Sequence, residues 1–138
     1  MIYKNTINLE GKTIDEIEFI LIRSYQHPDI LYILPKNCTC LFYDSIDFKY
    51  IGNWNTSRVT NMHCMFSSSR FNGDISNFDT SNVIDMFAMF SYSKFNSDIS
   101  NWNISNVENI NYVFYQSIFN MDVSRWNIFE DLKIFNIF

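Results

Sequence analysis

Phe66, Phe90, Phe114 and Phe138 stand 24 residues apart, and so do Trp54, Phe78, Trp102 and Trp126. A unit of that length cannot bury its own apolar face. Neighbouring copies therefore have to stack and share one core, which predicts a solenoid. The remaining columns repeat with the same period. Written from its valine, the consensus V-x-N-M-x-x-M-F-x-x-S-x-F-N-x-D-I-S-N-W-N-x-S-N is carried most completely by the copies starting at Val59 and Val83.

An earlier, degraded copy holds Cys38, Leu41, Phe42 and Ser45 one period before Met62, Met65, Phe66 and Ser69, with Asp47 where later copies have Phe71, Phe95 and Phe119. This places coils at 35–58, 59–82, 83–106 and 107–130, with a partial coil at 131–138. Val83, Met86, Met89 and Phe90 form a helical stripe preceded by Ser81. Serine at that position can cap free N–H groups, and Ser105 with Glu108 reads as a capping box. A helical turn is therefore expected after each of Ser57, Ser81 and Ser105. In the other half of the unit, Asp74 to Phe78 is short, bounded by turn formers and centred on Ile75, and it reads as a strand. The predicted architecture is an LRR-like α/β repeat with one short strand and one short helix per 24-residue coil. Trp54, Phe66, Phe71, Phe78, Phe90, Phe95, Trp102, Phe114, Phe119 and Trp126 are expected as its structural core. The asparagine columns, Asn53, Asn77 and Asn101, then Asn55, Asn103 and Asn127, then Asn61 and Asn109, suit turns in which side chains bond backbone groups.

Residues 1–34 read as an N-terminal helical cap. Thr13-Ile14-Asp15-Glu16 is a capping box, and Ile14, Ile17, Leu21 and Tyr25 follow at helical spacing until His27-Pro28, giving a helix over about 13–26 and a first strand over Ile30 to Leu34. At the other end, Ile134, Ile137 and Phe138 continue the core columns without a cap.

With 10 Lys and Arg against 15 Asp and Glu, a net charge of −5 and no basic cluster, the chain is a poor match for nucleic acid or an anionic membrane. Met1 to Gly11 has neither a basic segment nor an apolar run, and no stretch is long and apolar enough to span a bilayer, so no membrane insertion and a cytoplasmic location are expected. If the chain is viral, that means host cytoplasm.

Chemistry-bearing groupings are scarce. His27 and His63 are not arranged as bases, and Cys38, Cys40 and Cys64 lack the partners of a zinc site. Cys40 and Cys64 share a column, where a disulfide is conceivable, although two reduced thiols fit better with the absence of an export signal. Asp74, Asp98 and Asp122 recur beside the apolar residue of the expected strand. Such an aspartate more often accepts backbone N–H groups at a turn or pairs with solvent; stacked carboxylates would raise one another's pKa, or bridge a cation, although the glycine-rich ligand loops of calcium β-rolls are missing. No metal, cofactor or catalytic residue is expected, and an enzyme is the minority reading.

The run Phe71-Asn72-Gly73-Asp74-Ile75-Ser76-Asn77-Phe78-Asp79-Thr80-Ser81-Asn82-Val83, followed by Met86 and Met89-Phe90, resembles the BspA-like leucine-rich-repeat family, including its Mycoplasma-type surface-lipoprotein repeat. That resemblance implies a right-handed solenoid used for binding other proteins, found in bacterial adhesins and surface lipoproteins, in protists and in large DNA viruses. The functional expectation is a non-enzymatic protein-interaction module with a protein partner, using the exposed polar positions Asp74, Ser76, Asp98, Ser100, Asp122 and Ser124. The rival expectation is a structural protein that self-associates through its uncapped C-terminal coil.

Overall fold

A computed structural model of the chain describes residues 2–45, 48–126 and 136–138. Its regular elements are β1 (Asn5–Asn8), α1 (Ile14–Ile22), a 3-10 turn (Ser24–Gln26), β2 (Ile30–Ile33) and β3 (Asn53–Asn55). The three strands form one open parallel sheet in the order β1-β2-β3, pairing Asn5 with Ile30 and Leu31 with Asn53.

This overturns the expected LRR-like right-handed solenoid of strand–helix coils: among the described residues there is one α-helix and one sheet of three short strands. No helix follows Ser57, Ser81 or Ser105, and Asp74 to Phe78 is not a strand. The Ser105–Glu108 box is not formed either, since Ser105 N–H donates to Asn103 Oδ1 and Glu108 N–H donates to the Ile84 carbonyl.

Near the N-terminus, α1 begins where its capping box lies: Glu16 N–H donates to Thr13 Oγ1 at 3.2 Å and Thr13 N–H to Glu16 Oε2 at 2.8 Å. The helix is shorter than 13–26, because Arg23 caps it and the chain continues as the 3-10 turn. Ile17 and Leu21 are buried, whereas Ile14 and Tyr25, which extended the apolar stripe, are exposed. The strand over Ile30–Ile33 is the second in the chain, since Asn5–Asn8 precedes it.

Met62 to Ser69 shows why the expected helices are absent. Turns close at Met62–Met65, Cys64–Ser67 and Phe66–Ser69, each by an N–H to the carbonyl three residues back. The alternate N–H groups, of Met62, Cys64, Phe66 and Ser68, reach the carbonyls of Asp85, Phe87, Met89 and Ser91 at 2.8–2.9 Å. Cys64 (φ 52°) and Ser68 (φ 59°) are left-handed at the third turn position, where a type II turn requires positive φ. One period on, Ala88 (φ 51°) and Tyr92 (φ 56°) do the same. Two such turns advance the chain four residues, so Met62, Met65, Phe66 and Ser69 all point inward with the spacing of a helix face. Over eight residues a period of four cannot be told from 3.6.

The core is a set of ring ladders between residues one period apart. Phe42, Phe66, Phe90, Phe114 and Phe138 stack in turn with centroids 5.2, 5.6, 5.8 and 5.7 Å apart. Trp54, Phe78, Trp102 and Trp126 follow at 6.0, 6.2 and 6.4 Å. The third ladder runs Phe119–Phe95–Phe71 and is completed by Phe48, whose ring lies 4.6 Å from that of Phe71. Phe48 thus supplies the ring missing from the sequence column, one residue later than that column predicts; Asp47 itself lies outside the described residues. So do Asn127, Ile134 and most of the 131–138 segment, while Ile137 packs on the core and Phe138 is 66% exposed.

Candidate functional site

Asp74, Ser76, Asp98, Ser100, Asp122 and Ser124 sit on one repeated turn. In each copy the aspartate Oδ1 accepts the N–H of the serine two residues on, at 2.9 Å for Asp74, 2.9 Å for Asp98 and 2.8 Å for Asp122. This side-chain turn competes with a strand ladder, and it explains why Asp74 to Phe78 curls instead of extending. Phe78 N–H closes the turn onto the Ile75 carbonyl at 3.1 Å, sending Ile75 and Phe78 into the core and leaving Asp74 and Ser76 outside. Tryptophans pin the turns to one another: Trp102 Nε1–H donates to the Ile75 carbonyl and Trp126 Nε1–H to the Ile99 carbonyl, both at 3.1 Å.

The expected upward pKa shift of stacked carboxylates is reversed. The hydroxyl and amide of Ser76 hold Asp74 below the usual carboxylate range, and the amide and hydroxyl of Ser100 and Ser124 do the same for Asp98 and Asp122. Repulsion by Asp98 is the weakest influence on both Asp74 and Asp122. At neutral pH the turns therefore present a row of ionised, exposed carboxylates, and none of the three makes an ion pair with a described residue. Among the described residues, the cation acting on Asp98 and Asp122 is Arg125, whose Nη1 donates to Asn101 Oδ1 at 3.0 Å.

The same side-chain turn recurs elsewhere in the unit. Asn55, Asp79 and Asn103 accept from Ser57, Ser81 and Ser105, and Asn61 and Asp85 accept from His63 and Phe87. For the column of Asp74, Asp98 and Asp122, an aspartate that accepts a backbone N–H at a turn is the more frequent expectation, and each of the three does so. The signal available was an Asn or Asp two residues before a Ser, recurring in separate columns.

Cys38 and Cys64 are free thiols, with burial pushing the first up to about 12 and the second to about 11, and Cys40 is free and exposed. His63 stacks on Phe87 at 4.9 Å with its Nδ1 3.4 Å from Asp85 Oδ2. Among the described residues no three His, Cys, Asp or Glu side chains are grouped to hold a metal ion, and no helix is long and apolar enough to cross a membrane.

No curated protein and no solved structure matches the chain. A family model described as "Mycoplasma protein of unknown function, DUF285" matches residues 36–138, which takes in every Asp–Ser turn described above, and the chain belongs to that family.

Proposed function

We propose that this chain is a non-enzymatic protein-interaction module whose row of Asp–Ser turns receives a partner protein with a basic surface. The observation that carries the reading is the way each carboxylate is held. Oδ1 is spent on the serine N–H, so the side chain is held in place, while the residue stays exposed and its charge is kept by the bonds to serine. A row of charges pre-positioned in this way loses little side-chain freedom on binding. Opposite charge on a partner would speed encounter and set register. The sequence resemblance to BspA-like repeats, whose members bind other proteins, supports the same class of function.

Asparagine can form the same turn without the charge. The triple variant Asp74→Asn, Asp98→Asn, Asp122→Asn should therefore keep its circular dichroism and melting temperature near those of wild type. It should also lose the proteins that wild type captures from lysate at low salt. Identical capture by both chains, or no capture by either, overturns the reading.

A further inference from the structure

On a different face, a groove of about 510 Å³ runs across successive units of the chain. One wall carries Lys36, Thr60, Ile84 and Glu108, each one period from the next, and the other carries Arg58, Asn82 and Asn106. Backbone bonds link the residues of the first wall: Thr60 and Asn61 N–H share the Lys36 carbonyl, Ile84 and Asp85 N–H share that of Thr60, and Glu108 and Asn109 N–H share that of Ile84. The groove also presents polar side chains.

Those side chains are ordered. Asn82 Nδ2 donates to the Ser57 carbonyl at 2.8 Å and Asn106 Nδ2 to the Ser81 carbonyl at 2.6 Å. A carbonyl can only accept, so the amide orientation is determined, and neither Oδ1 accepts a hydrogen bond from a described residue. Ile84, at 44% exposure, supplies an apolar contact between them. Lys36 and Arg58 stand at one end and Glu108 at the other, and none of the three is in an ion pair among the described residues. The one charged group engaged at the cationic end is Glu10, whose Oε2 accepts the backbone N–H of Lys36 at 3.2 Å.

The geometry points to a binding groove for an extended peptide segment of a partner protein that carries an acidic residue, an apolar residue and then a basic residue. This inference rests on the interaction-module reading and assigns it a second face with its own ligand. Bridged chains lie about 4.8 Å apart, so Lys36 to Glu108 spans three steps, or about 14 Å. Extended peptide rises about 3.3 Å per residue, which sets the acidic and basic residues about four apart. The acidic side chain meets Lys36 and Arg58, the middle residue covers Ile84, backbone N–H groups donate to Asn82 and Asn106, and the basic side chain meets Glu108.

The test is a ¹⁵N chemical-shift titration of the full chain with acetyl-Ser-Asp-Thr-Val-Thr-Lys-Ser-amide, whose Asp, Val and Lys share one face when extended, and two relatives, one with both charged residues acidic and one with both basic. The mixed-charge peptide should bind best, moving the amides of Lys36, Arg58, Ile84 and Glu108 and the side-chain amides of Asn82 and Asn106. Arg58→Glu should weaken it about fivefold, the scale of an exposed ion pair. Glu108→Lys should transfer preference to the all-acidic peptide. Equal affinity for the three peptides, shifts confined to the Asp74, Asp98 and Asp122 turns, or no shifts at millimolar peptide would each overturn the groove. If lysate capture still disappears in the triple asparagine variant while the groove fails, only the second face is lost.

Discussion

At the scale of single residues, backbone strain and carboxylate bonding are the two features with measurable consequences. Cys40, Cys64, Ala88, Tyr112 and Asn136 share one left-handed column, and Asp44, Ser68, Tyr92 and Gln116 share a second. None is glycine, although each non-glycine residue there costs about 1–2 kcal/mol. The inter-unit hydrogen bonds made by N–H groups at these positions, such as Ala88 N–H to the Asn111 carbonyl at 2.9 Å, offset that cost. Ala88→Gly should leave the urea midpoint unchanged or raise it slightly, since relief of strain outweighs or balances the added freedom of the unfolded chain. Ala88→Val, β-branched and in a buried site, should cost about 2 kcal/mol or more. Equal midpoints for the two variants would refute the strain account. The carboxylates make a second prediction. Asp74, Asp79, Asp98 and Asp122 are all held below their ordinary range by serine hydrogen bonds. Their contribution to stability is therefore complete above about pH 4, the unfolded carboxylate value, and disappears as pH falls through the lower folded values. Thermal melts between pH 7 and pH 2 should show a steeper acid limb in wild type than in the triple asparagine variant.

Among the elements, Ser24 joins the helical segment to the strand that follows it. Its buried Oγ donates to the Leu21 carbonyl at 2.7 Å and accepts Gly52 N–H at 3.0 Å and Trp54 Nε1–H at 2.6 Å. The end of α1 is thereby tied to the entry of β3. The approach is close enough that a Cβ at Gly52 would lie 2.5 Å from Ser24 Oγ. Ser24→Ala strands a buried donor, Trp54 Nε1–H, and a half-buried one, Gly52 N–H, and should cost about 2–4 kcal/mol in urea unfolding, well beyond an ordinary serine truncation. A loss below about 1 kcal/mol would mean that water replaces the hydroxyl. None of this could be read from Ser24 itself, which has no counterpart in the repeat columns and whose partners lie 28 and 30 residues away.

For the molecule as a whole, the ring ladders set the stability. Phe90 is fully buried and touches Phe66, Phe95, Trp102 and Phe114, so Phe90→Ala should cost about 3–5 kcal/mol. Phe138 belongs to the same column but is 66% exposed, and Phe138→Ala should cost less than about 1 kcal/mol by the same measurement. The sequence by itself determined which side chains would meet, because a column recurring every 24 residues brings like residues into contact whatever backbone carries them. It also located the α1 capping box, whose two hydrogen bonds are local, and the aspartate row, which is exposed because its apolar neighbours have to be buried. What the backbone does between those columns was decided by tertiary structure. Met62, Met65 and Phe66 suit a helix face and a chain of overlapping turns equally well. The choice fell to turns because their alternate N–H groups find carbonyls on the next unit, partners that exist only once the units are packed. Strand or curl at Asp74 was settled in the same way: the tryptophan of the following unit bonds the Ile75 carbonyl, and that bond holds the turn in which Asp74 caps Ser76.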